Sequence, residues 1–147
     1  MYTRLMTAYG RAEGIEFKFG GTVANTLHAH RVIQHFQDMY GGETADGIVR
    51  ELYRAFFEED RHPSSQETLV GACIAAGVGE EEAKGFVTDE ERDLKEVEAR
   101  IAEQKGNGVD AVPVVVMEGK RRDLTFVGCK EVEEYRKGLE QIIKESQ

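Results

Sequence analysis

Val112-Pro113-Val114-Val115-Val116-Met117-Glu118-Gly119-Lys120-Arg121-Arg122-Asp123-Leu124-Thr125-Phe126-Val127 is the stretch where the character of the chain changes. Residues 114–117 and 124–127 are short apolar runs rich in β-branched side chains. Glu118-Gly119-Lys120 between them has the composition of a turn, so the stretch reads as a β-hairpin. Most of what precedes it, and all that follows, carries helical spacing. The chain is therefore α/β rather than all-helical.

Downstream, residues 130–144 turn Val132, Tyr135, Leu139, Ile142 and Ile143 inward on a final helix. Upstream, residues 89–105 form a heavily charged helix opened by the capping box Thr88-x-x-Glu91, with Leu94, Val97 and Ile101 as its buried stripe. Its i,i+4 pairs, Glu91 with Lys95 and Glu96 with Arg100, mark the remainder as a solvated face. A short helix spans 80–86. Before it, Ser64-x-x-Glu67 caps a helix carrying Leu69, Ala72 and Cys73 that stops at Gly77. Helices are expected over 26–40, with Asn25 as N-cap, and over 44–59, with His62-Pro63 ending the second. Ile15-Glu16-Phe17-Lys18-Phe19 alternates apolar and charged residues and is expected to be a third strand. A short helix over 2–13, stopped by Gly14, precedes it.

Composition narrows the function. The 147 residues are 40% hydrophobic and 32% charged, which suits one domain, and 28 acidic against 19 basic residues give a net charge of −9. Non-specific nucleic-acid binding depends on clustered Lys and Arg, so a nucleic-acid partner is not expected. No apolar run approaches the ~20 residues of a membrane span, and no signal-peptide pattern opens the chain. Cys73 and Cys129 are the only cysteines, 56 positions apart, with no Cys-x-x-Cys. A cytoplasmic, reducing location is the expectation. No cofactor is called for, because neither Gly20-Gly21 nor Gly41-Gly42 has the pattern of a phosphate cradle. No metal is called for either. His28 and His30 point to different sides of a helix, and His28 and His35 lie about 10 Å apart along it.

The order of elements and particular residues together resemble the DsbA-like thioredoxin-fold family, in its FrnE-type branch. Gly14-Ile15-Glu16-Phe17-Lys18-Phe19 resembles the family's second core strand. Asn25-Thr26-Leu27-His28-Ala29-His30-Arg31 resembles the Asn-Thr-x-x-Ala-His-Arg segment that opens its helical insertion. Val109-Asp110-Ala111-Val112-Pro113 resembles the Gly-Val-Pro segment before its third core strand. The implied architecture is a single domain over 1–147, a truncated DsbA-like fold with a three-stranded sheet. Segments 1–24 and 108–147 form the thioredoxin-like remnant, and 25–107 the helical insertion. The family's opening strand and its Cys-x-x-Cys have no counterpart, as Met1 falls inside or after the first helix, so dithiol exchange is expected to be lost.

The resemblance implies a cis Val112–Pro113 bond facing a substrate groove, with Asn25, Thr26, Arg31, Val112 and Pro113 as ligand contacts. Without the resemblance, Asn25 reads as a cap and Pro113 as a trans proline at a strand start. The bound species would be a peptide, a thiol compound, a small hydrophobic molecule or a protein partner. Homodimerisation is expected to cover the open edge of the sheet. The other reading is a cofactor-free isomerase or cyclase acting on a small hydrophobic metabolite such as a polyketide. His28, His30, Tyr40 and Cys129 would then supply acid–base or thiol groups. Cys129 is expected at the N-terminus of the last helix, either as an activated single thiol or as an inert small residue at a helix start, and Cys73 in the core.

Overall fold

A computed structural model describes residues 2–146. Seven helices and two strands follow in the order α1 (Tyr2–Ala12), α2 (Leu27–Tyr40), α3 (Gly42–Glu59), α4 (Gln66–Ala75), α5 (Glu80–Thr88), α6 (Leu94–Gly106), β1 (Val114–Met117), β2 (Leu124–Val127) and α7 (Val132–Ser146). They fall into two compact units, Met1–Ala99 and Arg100–Gln147.

In the first unit α2 packs on α3, α3 on α4, and α4 on α5. The core between them is apolar and closed: Val32, Phe36, Ile48, Leu69, Ala72, Cys73, Phe86 and Val87 are buried. Into this core α2 also sends a charge. Arg31 is completely buried, and its guanidinium donates to the carbonyls of Phe86, Val87, Asp89 and Arg92 at 2.9–3.4 Å. It also lies over the Phe86 ring, 4.3 Å from the centroid. Burial pulls its pKa below the ordinary value, while the carboxylates of Asp89, Asp93 and Glu90 act in the opposite direction. One turn on, His35 stacks on Phe86 with 3.8 Å between ring centroids. Its Nδ1 lies 2.7 Å from Asp93 Oδ2. Arg31 thereby collects carbonyls at the end of α5 and in the following turn, and His35 holds the same turn through the Asp93 carboxylate.

In the second unit β1 and β2 pair antiparallel, with Val114 opposite Val127 and Met117 opposite Leu124. The close approach of α7 requires Gly138, because a Cβ there would lie 2.8 Å from the Phe126 ring and 3.0 Å from Met117 Sδ. Phe126 meets Tyr135 edge-on, with centroids 5.4 Å apart.

Four sequence expectations are corrected. Residues 15–19 carry no regular secondary structure and belong to no sheet, and the sheet among the described residues has two strands rather than three. The donors of this segment are used locally. The Ile15 amide closes α1 on the Gly10 carbonyl at 2.7 Å, with Gly14 at φ +76. The Lys18 amide donates to the Phe57 carbonyl at 2.7 Å. Phe17 meets Phe57 edge-on, so the period-two pattern is satisfied by one-sided packing on α3. Thr88 does not open α6. It ends α5 with its hydroxyl donating to the Lys84 carbonyl at 2.8 Å, and α6 starts at Leu94. Ser65 rather than Ser64 caps α4, accepting from the Thr68 amide at 3.2 Å. The last helix begins at Val132 rather than at Lys130, which places Cys129 three positions before its first residue. The position of Met1 lies outside the described residues.

Replacing Arg31 by methionine keeps most of the volume but removes the guanidinium donor from four carbonyls, of which only that of Asp89 keeps another, the Arg92 amide. We expect a loss of about 3 kcal/mol in urea unfolding, with Arg31→Lys recovering only part of it.

Candidate functional site

Two apolar cavities of the first unit adjoin through Val23, Tyr53, Phe56 and Phe57. The inner one, about 430 Å³, lies between α2 and α3 and is lined by Ile33, Val49, Leu52 and Pro63 as well as the shared side chains. The outer one, about 910 Å³, lies among α1, the segment 15–19 and the end of α3. Their origin is local. The period-two segment offers Phe17 and Phe19 to α3 but builds no ladder, and the Phe56-Phe57 pair ends α3 facing it. Aromatic rings held at 5–6 Å from one another bridge the space without filling it.

The inner cavity carries a small polar edge. Thr26 and His30, one turn apart at the start of α2, both line it. The His30 amide donates to the Thr26 carbonyl at 3.0 Å, which fixes the turn that presents them. Asn25 sets up that turn. Its Oδ1 accepts from the Leu27 amide at 2.9 Å, and its carbonyl accepts from the Ser64 hydroxyl. Asn25 is thus not the N-cap expected from the sequence: Thr26 holds that position, and Asn25 makes a turn ahead of it that ties the start of α2 to the turn before α4 without lining the cavity. A mostly apolar pocket with one or two placed polar groups is the usual form of a small-molecule site.

The remaining candidates are placed elsewhere. Arg31 sits in the closed core with both terminal nitrogens bonded to carbonyls and its Nε without a hydrogen-bond partner among the described residues, and it lines neither cavity. His28 is half-buried, its Nδ1 without a hydrogen-bond partner among the described residues, and it also lines neither. Tyr40, at the end of α2, donates to the Glu82 carboxylate of α5 at 2.7–2.8 Å and stacks on Phe36. That hydrogen bond holds its pKa above the ordinary phenol value, which suits a structural tie better than proton transfer near neutrality. Val112, Pro113 and Cys129 belong to the second unit, where all three are exposed. The Val112–Pro113 bond is cis, and the Pro113 carbonyl accepts from the Gly128 amide at 2.8 Å.

Both cysteines are free. Cys73 is buried, and burial pushes its thiol up to about 12. Among the described residues no three His, Cys, Asp or Glu side chains gather as ligands of a metal would. No helix there is long and apolar enough to cross a membrane. Sequence reasoning missed Val23, Val49 and Pro63. Only Val23 carries a signal, an apolar residue 89% exposed in a segment that joins two glycines to a cap.

A family model of the DSBA-like thioredoxin domain matches residues 1–140, nearly the whole chain. No curated protein and no solved structure matches. The mostly helical first unit, the small antiparallel sheet and the final helix are consistent with that family's fold. The chain belongs to the DsbA-like thioredoxin domain family, and is by descent a thiol-oxidoreductase-family protein.

Proposed function

We propose that this family member binds a small apolar molecule in the inner cavity between α2 and α3 and does not carry out dithiol exchange. The observation that supports this most is the cavity itself, about 430 Å³, apolar on its walls and edged by Thr26 and His30. A volume of that size falls within the range of small-molecule sites. The ligand is apolar over most of its surface and carries one oxygen or nitrogen function for the Thr26 hydroxyl and the His30 imidazole. The FrnE-type resemblance makes polyketide-like metabolites the first class to screen.

The thiols support the second half of the reading. Exchange within one chain needs a thiolate and a resolving thiol close together. Here the two cysteines are 56 positions apart, and one of them is buried in the helical core. Two free cysteines suit a reducing, cytoplasmic compartment. A second reading rests on His30 lining an apolar cavity: an imidazole in that position suits isomerase or cyclase chemistry on the same ligand, as the general base.

Titration with 1-anilinonaphthalene-8-sulfonate tests the binding reading. Saturable binding is expected, weakened about tenfold by Ile33→Glu at the cavity wall; absence of saturable binding contradicts it. His30→Ala separates the readings, because an enzyme loses turnover of its metabolite while retaining binding. Thiol labelling tests the redox half. At pH 8 a thiol near 12 is ionised only to about one part in 10⁴, so Cys73 is expected to stay unlabelled in the native chain while Cys129 reacts within minutes. Rapid labelling of both, or reduction of insulin disulfides by the chain, overturns it.

A further inference from the structure

We propose that residues 21–24 form a strap that closes over the ligand of the inner cavity and draws Val23 from water onto it. The inference rests on the ligand reading and adds how the site holds its occupant.

Most side chains lining the inner cavity stand on α2 and α3, two helices packed on each other through the closed core. Val23 and Ala24 supply a wall of another kind, because they lie in the irregular segment ahead of α2. That segment is secured at two points. At the first, the Gly20 amide donates to Asp60 Oδ1 at 3.0 Å. Asp60 ends α3 in the left-handed region at φ 58, which turns its carboxylate toward the segment. A Cβ at Gly20 would lie 2.9 Å from Asp60 Oδ2 and displace the carboxylate, so glycine suits the anchor. At the second point the Asn25 carbonyl accepts from the Ser64 hydroxyl, and Asn25 Oδ1 accepts from the Leu27 amide at 2.9 Å. Between the two anchors, residues 21–24 make no hydrogen bond among the described residues. A short segment held at both ends and unbonded between them belongs to the easily moved part of a structure.

Val23 gives the movement its direction. It lines both cavities and is nevertheless 89% exposed, so its side chain stands in water at the rim of an apolar space. Nothing there covers it until a ligand fills the inner cavity. Turning Val23 onto that ligand removes apolar surface from water on both partners, which favours the closed strap only when the site is occupied. Closure also keeps water from the hydrogen bonds that Thr26 and His30 offer at the cavity edge, and strengthens them.

Amide ¹⁵N relaxation of the full chain, with and without 1-anilinonaphthalene-8-sulfonate, tests this. In the free chain the order parameters of Gly21, Thr22, Val23 and Ala24 are expected below about 0.6, rising at saturation toward the ~0.85 of a rigid backbone. Saturable binding that leaves those four unchanged overturns the strap and leaves the ligand reading standing. Absence of saturable binding overturns the ligand reading, and the strap with it. Stopped-flow fluorescence gives a second readout. Because closure follows entry, Val23→Ser is expected to raise the dissociation rate of the probe about tenfold, with the association rate within about twofold of wild type. An unchanged dissociation rate, or a loss carried by association instead, overturns the strap.

Discussion

The buried guanidinium of Arg31 is the constraint around which the first unit is arranged. A charge placed in an apolar core is tolerated only where hydrogen bonds replace its lost water. The carbonyls of Phe86, Val87, Asp89 and Arg92 supply them, and the Phe86 face adds a stacking contact. Apart from the Asp89 carbonyl, which also accepts from the Arg92 amide at 3.3 Å, these carbonyls would otherwise be the unsatisfied end of α5 and its exit turn. One side chain thus resolves two problems, and the place where α5 ends is decided by α2. His35, one turn on, adds a side-chain contact to the carboxylate of Asp93, which sits in the left-handed region at φ 60.

This clamp also bears on the site. Arg31 and His30 are neighbours in sequence, yet they face opposite fates. Arg31 points into the closed core, and His30 lines the open cavity between α2 and α3. A helix fixed so firmly on one side can present Thr26 and His30 on the other in a defined position, and a binding site needs that rigidity. The Arg31–α5 contact accordingly holds the helix that lines the cavity, while Arg31 itself lines neither cavity.

Much of the fold could be read from the residues. The hairpin runs over 114–117 and 124–127 as its β-branched composition indicates, and the helices around Val32, Ile48 and Leu69 follow their apolar spacing. The misreadings share a physical origin. Alternation at 15–19 identifies a segment with one buried side, but it does not say whether a neighbouring backbone or a helix covers that side. Here Phe57 and α3 do. Ser64 and Ser65 offer equivalent hydroxyls, and only the geometry of the turn after Pro63 selects between them. Thr88 satisfies the pattern of a capping box, yet its hydroxyl finds the Lys84 carbonyl of the preceding helix first. At the site, Thr26 and His30 were legible, whereas Val49 and Pro63 were not. An apolar residue on a cavity wall has the same sequence signature as one in a filled core.

The central claim is that the space between α2 and α3 is a binding site and not a packing defect of an otherwise closed unit. The most direct measurement is the ¹³C-methyl spectrum during titration with 1-anilinonaphthalene-8-sulfonate. The account predicts saturable shifts at Val23, Ile33, Val49 and Leu52, with Val32 and Ile48 of the closed core unmoved. Shifts confined to the exposed sheet residues Val116 and Val127, or spread evenly over both sets, would contradict it.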